Sequence, residues 1–281
     1  MIKYEQKEII LNIENLSVAY DDKIIVKDIN LQEKDTMRDG MIQGQCIAFL
    51  GRSGRGKSTL FKAITGLVNP TTGSVLIPDF SKPVINGKQP AKYVGEGDVG
   101  FVDQKYTLFR HKTVYQTLNF ALRNSKLSKK EKEDKIHSYL NDWGLYAFKD
   151  QYPNELSGGQ RQRTAIIEQL LCSGFYMVMD EPFSGLDVGN IQNVKSAFEL
   201  ISKSHELNTV IFSTHDIELA VELADSIYVL GYPKLENGNF ANYGTIIKQF
   251  DLKKMGLAWN DEFTKDHLDV VKEIKISMLN S

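Results

Sequence analysis

The chain has 281 residues, 42% hydrophobic and 25% charged, enough for one large or two modest domains with a substantial core. Lysine plus arginine number 34 against 36 acidic residues, and this formal net charge of −2 argues against a general nucleic-acid binder, which carries a basic excess. No apolar run approaches the roughly 18 to 20 residues that span a bilayer, and the polar start Met1–Gln6 has no signal-peptide core.

The first third reads as short apolar strands, Ile9–Val18, Ile24–Leu31 and Gln45–Leu50, separated by glycine and Asx turns. The polar stretch Glu33–Gly44 reads as a loop at a hairpin tip, and Ser74–Ile77, Val84–Asn86 and Val99–Asp103 as further strands. Helical spacing then takes over: Val114, Leu118, Ala121 and Leu122, and later Ile136, Leu140 and Trp143, mark a helical insert from Thr113 to about Asp150. Its charged run Lys126–Lys135 reads as a solvated helix start and face.

Beyond the insert, strands and helices alternate. Gly158–Cys172 reads as helix, Phe175–Met179 as buried strand, and Val188, Ile191, Val194, Phe198 and Ile201 as a helical stripe. Thr209–Ser213 is a strand, Ile217–Leu223 a helix and Ser226–Leu230 a strand, a pattern that implies a parallel sheet covered by helices. Gly231–Asn260 looks looser and precedes an amphipathic helix carrying Phe263, His267, Val270, Val271, Ile274 and Met278, with His267 expected to be partly buried. Cys46 and Cys172 are expected to be small buried hydrophobes in a reducing compartment, and no Cys/His spacing suggests zinc.

Between the strand ending at Leu50 and a helical pattern starting near Leu60 lies Gly51-Arg52-Ser53-Gly54-Arg55-Gly56-Lys57-Ser58-Thr59. Strand, glycine-rich loop and helix are the context that phosphate binding needs. Glycines let backbone N–H groups curl around an anion, and the helix start adds its positive end. Lys57 is placed to reach the β- and γ-phosphates and Ser58 to ligate Mg²⁺.

An apolar strand ending in Asp180-Glu181, 123 residues after Lys57, supplies a second chemical signal. Ligand chemistry in open α/β sheets sits at that strand end. Asp180 is placed to hold Mg²⁺ and Glu181 to polarise an attacking water. A third motif, Leu156-Ser157-Gly158-Gly159-Gln160, opens a helix with Ser157 as N-cap and two glycines that permit close backbone approach.

With these three motifs the sequence resembles the ATP-binding cassette (ABC) ATPases over about residues 8–231. Leu156–Gln160 is similar to that family's signature motif, and the resemblance implies that Ser157, Gly158, Gly159 and Gln160 contact nucleotide. Tyr20 resembles the aromatic residue that stacks on adenine. Gln104 resembles the Q-loop glutamine, which implies a catalytic and Mg²⁺-binding role. Ser184-Gly185-Leu186-Asp187 resembles the D-loop, and His215, in Ser213-Thr214-His215-Asp216, the switch histidine that acts with Glu181 and Lys57.

The resemblance implies a P-loop NTPase α/β core with a mostly parallel sheet, an antiparallel N-terminal β-subdomain, an inserted helical subdomain over about 113–155 and an extension over 232–281. It implies ATP and Mg²⁺ as cofactors. Its partners would be a second cassette, expected as a homodimer, a separate transmembrane permease and a substrate-binding protein, with no nucleic acid. The location expected is the inner face of the cell membrane. Tyr152-Pro153, Leu108-Phe109 and Asp180–Asp187 look importer-like, and the tail is similar in outline to nitrate, sulfonate and taurine cassettes. An efflux or lipid-trafficking cassette, or a non-transport ATPase acting on DNA or ribosomes, are the alternatives. The sequence departs from the family pattern at the long stretches Glu33–Gly44 and Pro78–Gly97, at Arg110, and at Glu168-Gln169.

Overall fold

A computed structural model describes residues 4–38, 44–184, 188–260 and 262–281. Two sheets form. Strands β1 (Tyr4–Tyr20), β2 (Lys23–Arg38), β4 (Thr72–Pro78) and β5 (Ala91–Tyr93) make an antiparallel sheet in the order β2-β1-β4-β5. Strands β3 (Gln45–Leu50), β6 (Val99–Val102), β7 (Tyr176–Met179), β8 (Thr209–Thr214), β9 (Ser226–Gly231) and β10 (Thr245–Asp251) make the second, in the order β10-β9-β3-β8-β7-β6. Every pairing in the second sheet is parallel except that of β10, so the expected α/β class holds.

Helices α1 (Lys57–Ile64), α2 (Val114–Ala121), α3 (Lys129–Asp142), α4 (Gly158–Cys172), α5 (Val188–Ser204), α6 (Ile217–Leu223) and α7 (Lys265–Leu279) complete the chain. Strand β3 explains how two cores arise. Its side chains alternate faces: Ile47 and Phe49 join α1 and the antiparallel sheet, while Cys46, Ala48 and Leu50 join the helices of the other face. Leu118, Leu122, Ile136 and Leu140 of the insert pack into that second core, and most of its charged run is exposed.

Five expectations need correction. Glu33–Arg38 is not loop but the continuation of β2. Its inward positions are polar, so no apolar alternation reveals it. Glu33 is buried against the Tyr228 hydroxyl, 2.7 Å away, and Lys253 Nζ, 3.6 Å away. Arg38 is buried against Asp225 (3.2 Å) and stacks on Trp259 (3.7 Å). The residues that make these inward charges tolerable lie about 190 to 220 positions away in sequence.

Strand β10, inside the stretch read as loose, is an edge strand with one neighbour and mostly half-buried residues. Val84–Asn86 forms no strand: Ile85 and Lys88 pair across the tight turn at Asn86 and Gly87, both with positive φ, and β5 pairs with β4 instead. Cys172 is exposed at the last turn of α4, because only its neighbour Leu171 faces inward. His267 is fully buried. Its Nδ1 accepts from the Thr264 amide (3.0 Å), so Nε2 carries the proton and donates to the Leu257 carbonyl (3.0 Å).

Asp225 accepts from the Cys46 amide at 2.6 Å as well as from Arg38, and burial pushes its carboxyl upward against these partners. Such a pair adds little over an apolar isostere, but removing one partner strands a buried charge at a cost of about 3–5 kcal/mol. Asp225→Ala should therefore lower the unfolding free energy by that amount, measured by equilibrium unfolding in urea. A change below about 1 kcal/mol would mean that Arg38 finds another partner or water.

Candidate functional site

Four adjacent parallel strands, β6, β7, β8 and β3, bring their C-terminal ends together, and each of the phosphate-loop, acidic, Gln104 and His215 positions follows one of them. The loop after β3 turns through Gly54 and Gly56, with φ of 81° and 88°. At Gly56 any side chain is excluded twice, because a Cβ would also lie 2.4 Å from Val26 Cγ1. Helix α1 then starts at Lys57 with no side-chain cap and no acid in its first turn. Its free N–H groups and positive dipole end are left for an anion.

Lys57 is buried. Its Nζ donates to the Gly51 carbonyl at 2.7 Å and pairs with Glu181 Oε1 at 3.3 Å. Glu181 Oε2 in turn lies 3.0 Å from His215 Nδ1. Lys57, Glu181 and His215, far apart in sequence, thus form one chain of contacts.

Ser213, which sequence reasoning did not single out as a site residue, fixes the acidic pair. Its hydroxyl donates to Asp180 Oδ1 (2.7 Å) and accepts from the Glu181 amide (2.9 Å). The available signal was a small hydroxyl following the apolar run Val210–Phe212 of a buried strand, two residues before His215. Glu181 has φ of 51°, a left-handed conformation that costs a non-glycine residue on the order of 1 kcal/mol. Ser213 and the Ser184 amide, which donates to the Glu181 carbonyl at 3.1 Å, hold it there.

The cavity above these residues has a volume of about 520 Å³ and is lined by Ile25, Gly51, Ser53, Gly54, Arg55, Gly56, Lys57, Ser58, Thr59, Gln104, Asp180, Glu181, Ser184 and His215. Sequence reasoning named all but Ile25 and Ser184 as phosphate-loop or site residues; it placed Ser184 in the D-loop. Six named residues do not line it. Arg52 is exposed, and Tyr20, 44% exposed, sits at the β1–β2 turn, which also brings in Ile25.

Ser157, Gly158, Gly159 and Gln160 also stay outside this cavity. They open α4 with a capping box: Gln160 N–H donates to Ser157 Oγ, and Ser157 N–H to Gln160 Oε1. Of the D-loop resemblance, Gly185, Leu186 and Asp187 lie outside the described residues.

Behind Gln104 the chain makes a second link. Tyr106, with φ of 49°, turns its hydroxyl inward to donate to the Pro182 carbonyl (2.8 Å), and Gln162 Nε2 donates to that hydroxyl (2.7 Å). Burial pushes the Tyr106 phenol up to about 12, so it keeps its proton. The Gln104 loop, the segment after Glu181 and helix α4 are therefore joined through one phenol. Gln169, one of the departures from the family pattern, ties α4 to β6 by accepting from the Phe101 amide at 3.2 Å.

Ser58, Gln104 and Asp180 border the cavity with a hydroxyl, an amide oxygen and a carboxylate. Such hard oxygen donors suit Mg²⁺, which keeps several waters and shares its shell with phosphates. Among the described residues no cluster of three or more His, Cys, Asp or Glu forms an all-protein metal cage.

Known proteins resemble this chain in sequence and in fold. The family described as ABC transporter matches residues 37–184. The sulfate/thiosulfate import ATP-binding protein CysA of Synechocystis is 36% identical over 226 residues, covering 80% of this chain and 59% of that protein. The Fe(3+) ions import ATP-binding protein FbpC of Fusobacterium nucleatum is 36% identical over 220 residues, covering 78% of this chain and 55% of that protein. The chain thus spans less than two thirds of the length of these relatives. Among solved structures, cbiO1 of Clostridium perfringens, part of the ABC transporter complex cbiONQ, is 26% identical with a TM-score of 0.67, covering 97% of this chain and 99% of that one. Sequence match, fold and the convergence of the phosphate loop with the acidic strand end lead to one conclusion: the chain belongs to the ABC transporter family.

Proposed function

We propose that this chain binds and hydrolyses ATP as the energy-supplying subunit of a transporter whose membrane-spanning part is a separate polypeptide. The observation that carries the reading is the Lys57–Glu181–His215 array beneath an acid-free helix start in one cavity. ATP phosphates entering the loop compete with Glu181 for Lys57. Glu181, released from that ion pair but still held by Ser213 at its backbone, is left to accept a proton from the attacking water, with His215 steadying its second oxygen. Mg²⁺ held by Ser58, Gln104 and Asp180 would neutralise charge developing on the phosphates. Tyr20, at the hairpin turn beside the cavity, is the proposed platform for adenine.

The open surface at Gly158 favours a second copy as partner. A Cβ there meets nothing within 4 Å, so packing inside this chain does not require glycine. Glycine costs up to about 1 kcal/mol relative to alanine inside a helix, and less at the first residue, where Gly158 sits. That cost is explained if the start of α4 lies against the γ-phosphate held by the phosphate loop of another cassette. Two such sites then form head to tail, and loss of the γ-phosphate opens the pair. In this reading residues 8–231 form the cassette, 113–155 its helical insert and 232–281 an extension.

A groove of about 660 Å³ lined by Lys105, Tyr106, Thr107, Leu108, Arg110, Pro153, Asn154 and Arg161 suits a short helix from a permease. No helix among the described residues is long and apolar enough to cross a membrane. The relatives named for import of sulfate, thiosulfate and ferric ions favour import, with a substrate-binding protein as third component and the inner membrane face as location. The test measures ATPase activity of the purified chain and co-purification with its permease in parallel. A carboxylate at Leu108 in the groove, or at Phe109, 39% exposed and between two groove residues in sequence, should abolish co-purification and leave ATPase within about threefold of parent, roughly 0.7 kcal/mol. Normal permease binding by both variants would place the contact elsewhere.

A further inference from the structure

The back of the phosphate loop is gripped by the last quarter of the chain. Arg55 sits between the two positive-φ glycines of the loop, Gly54 and Gly56. Its guanidinium lies over the Tyr232 ring, 3.8 Å from the centroid, and its Nη2 donates to the Ser281 carbonyl at 3.0 Å. The Tyr232 hydroxyl reaches back to donate to the Gly54 carbonyl at 3.1 Å. The Arg55 carbonyl is covered by Gly244, so closely that a Cβ there would sit 2.1 Å from it.

Two of the three gripping residues are themselves anchored. Gly244 donates to the Ile25 carbonyl (2.8 Å) and accepts from the Lys27 amide (2.9 Å), which ties it to β2. Ser281 fills the space over Gly231, where a Cβ would come within 2.5 Å of it. Two successive loop residues are thus held by three residues that are widely separated in the C-terminal segment. The ring face on one side and the Ser281 main-chain oxygen on the other fix the direction of the Arg55 guanidinium.

A glycine-rich loop loses much backbone freedom when it closes on phosphates, and a loop already fixed in the receiving shape loses less. We propose that Arg55 and Tyr232 are positioning residues: together with Gly244 and Ser281 they clamp the phosphate loop, so that the C-terminal segment sets the affinity for ATP without touching it. The proposal rests on the reading of Gly51–Thr59 as the ATP phosphate loop.

The test is a double-mutant cycle on the full chain, read as Kd for a fluorescent ATP analogue and as KM and kcat for ATP. Arg55→Ala and Tyr232→Ala should each raise Kd and KM about tenfold with kcat within about twofold, and the double variant should be no worse than either single. Tyr232→Phe, which keeps the ring face, should recover most of the affinity. Lys57→Ala, assayed alongside, should lose hydrolysis. Parental Kd in both alanine variants with Lys57→Ala inactive would overturn the clamp alone. Effects that multiply fully in the double variant, or that fall on kcat with Kd unchanged, would also overturn it. Retention of ATP binding and turnover by Lys57→Ala would instead overturn the phosphate-loop reading beneath it.

Discussion

Replacing Glu181 by glutamine should stop ATP turnover while leaving ATP bound. The amide is isosteric, so the left-handed backbone at 181 and the contacts from Ser213 and Ser184 survive. What disappears is a base able to take a proton from water, a contribution of about 10²–10⁴-fold in rate. A second consequence follows from the ion pair with Lys57 at 3.3 Å. In the parent, phosphates must displace a carboxylate from Lys57; in Glu181→Gln that competitor is neutral. The variant should therefore bind ATP at least as tightly as the parent, and ATP-bound dimers should accumulate. Single-turnover hydrolysis and equilibrium ATP binding, measured together, decide the matter. Hydrolysis within about threefold of the parent, roughly 0.7 kcal/mol of barrier, would remove Glu181 from the central role.

Gly158→Asp should be nearly as damaging for the opposite physical reason. Gly158 lies outside the cavity of its own chain, and a Cβ there meets nothing within 4 Å. An aspartate in the first turn of α4 also complements the helix dipole, so the folded chain should gain a few tenths of a kcal/mol. Fold and ATP affinity of the isolated chain should survive. Yet a carboxylate placed against the γ-phosphate of a second copy repels it, and turnover should fall by about 10²-fold or more, on the scale of losing one phosphate-stabilising donor. A variant that is more stable, binds ATP and does not turn it over is hard to explain if one chain completes the site by itself.

Much of this site is legible in the amino-acid sequence because its chemistry is local along the chain. Gly51–Thr59 declares a phosphate loop by its glycines and lysine, and Asp180-Glu181 stands out at the end of an apolar strand. The bounds of α4 and α6 match the sequence reading, and Ser157 marks the start of α4 as its capping residue. What stays hidden depends on partners far along the chain. Glu33 and Arg38 look like loop residues until Lys253, Tyr228 and Asp225 arrive to satisfy them. Strand β10 is an edge, so its composition carries no demand for two-sided burial. Nothing in the type or spacing of Tyr106 shows that its hydroxyl is engaged by Pro182 and Gln162. Arg55 reads as one more phosphate ligand, while its side chain is held from behind by Tyr232 and Ser281. In each case the residue type is visible in one dimension, and the fold supplies the partner that gives it a role.

The central claim, that the phosphate loop of one chain and the signature helix start of another make one site, has a direct test by mixing two inactive variants. Lys57→Ala removes the phosphate-loop lysine and leaves the start of α4 intact; Gly158→Asp does the reverse. Each variant alone should be inactive. In an equal mixture, random pairing makes half the dimers mixed, each with one intact composite site, so ATPase should return to about a quarter of the parental rate. A mixture as inactive as its two components would contradict the claim, because it would place both motifs in the service of a single chain.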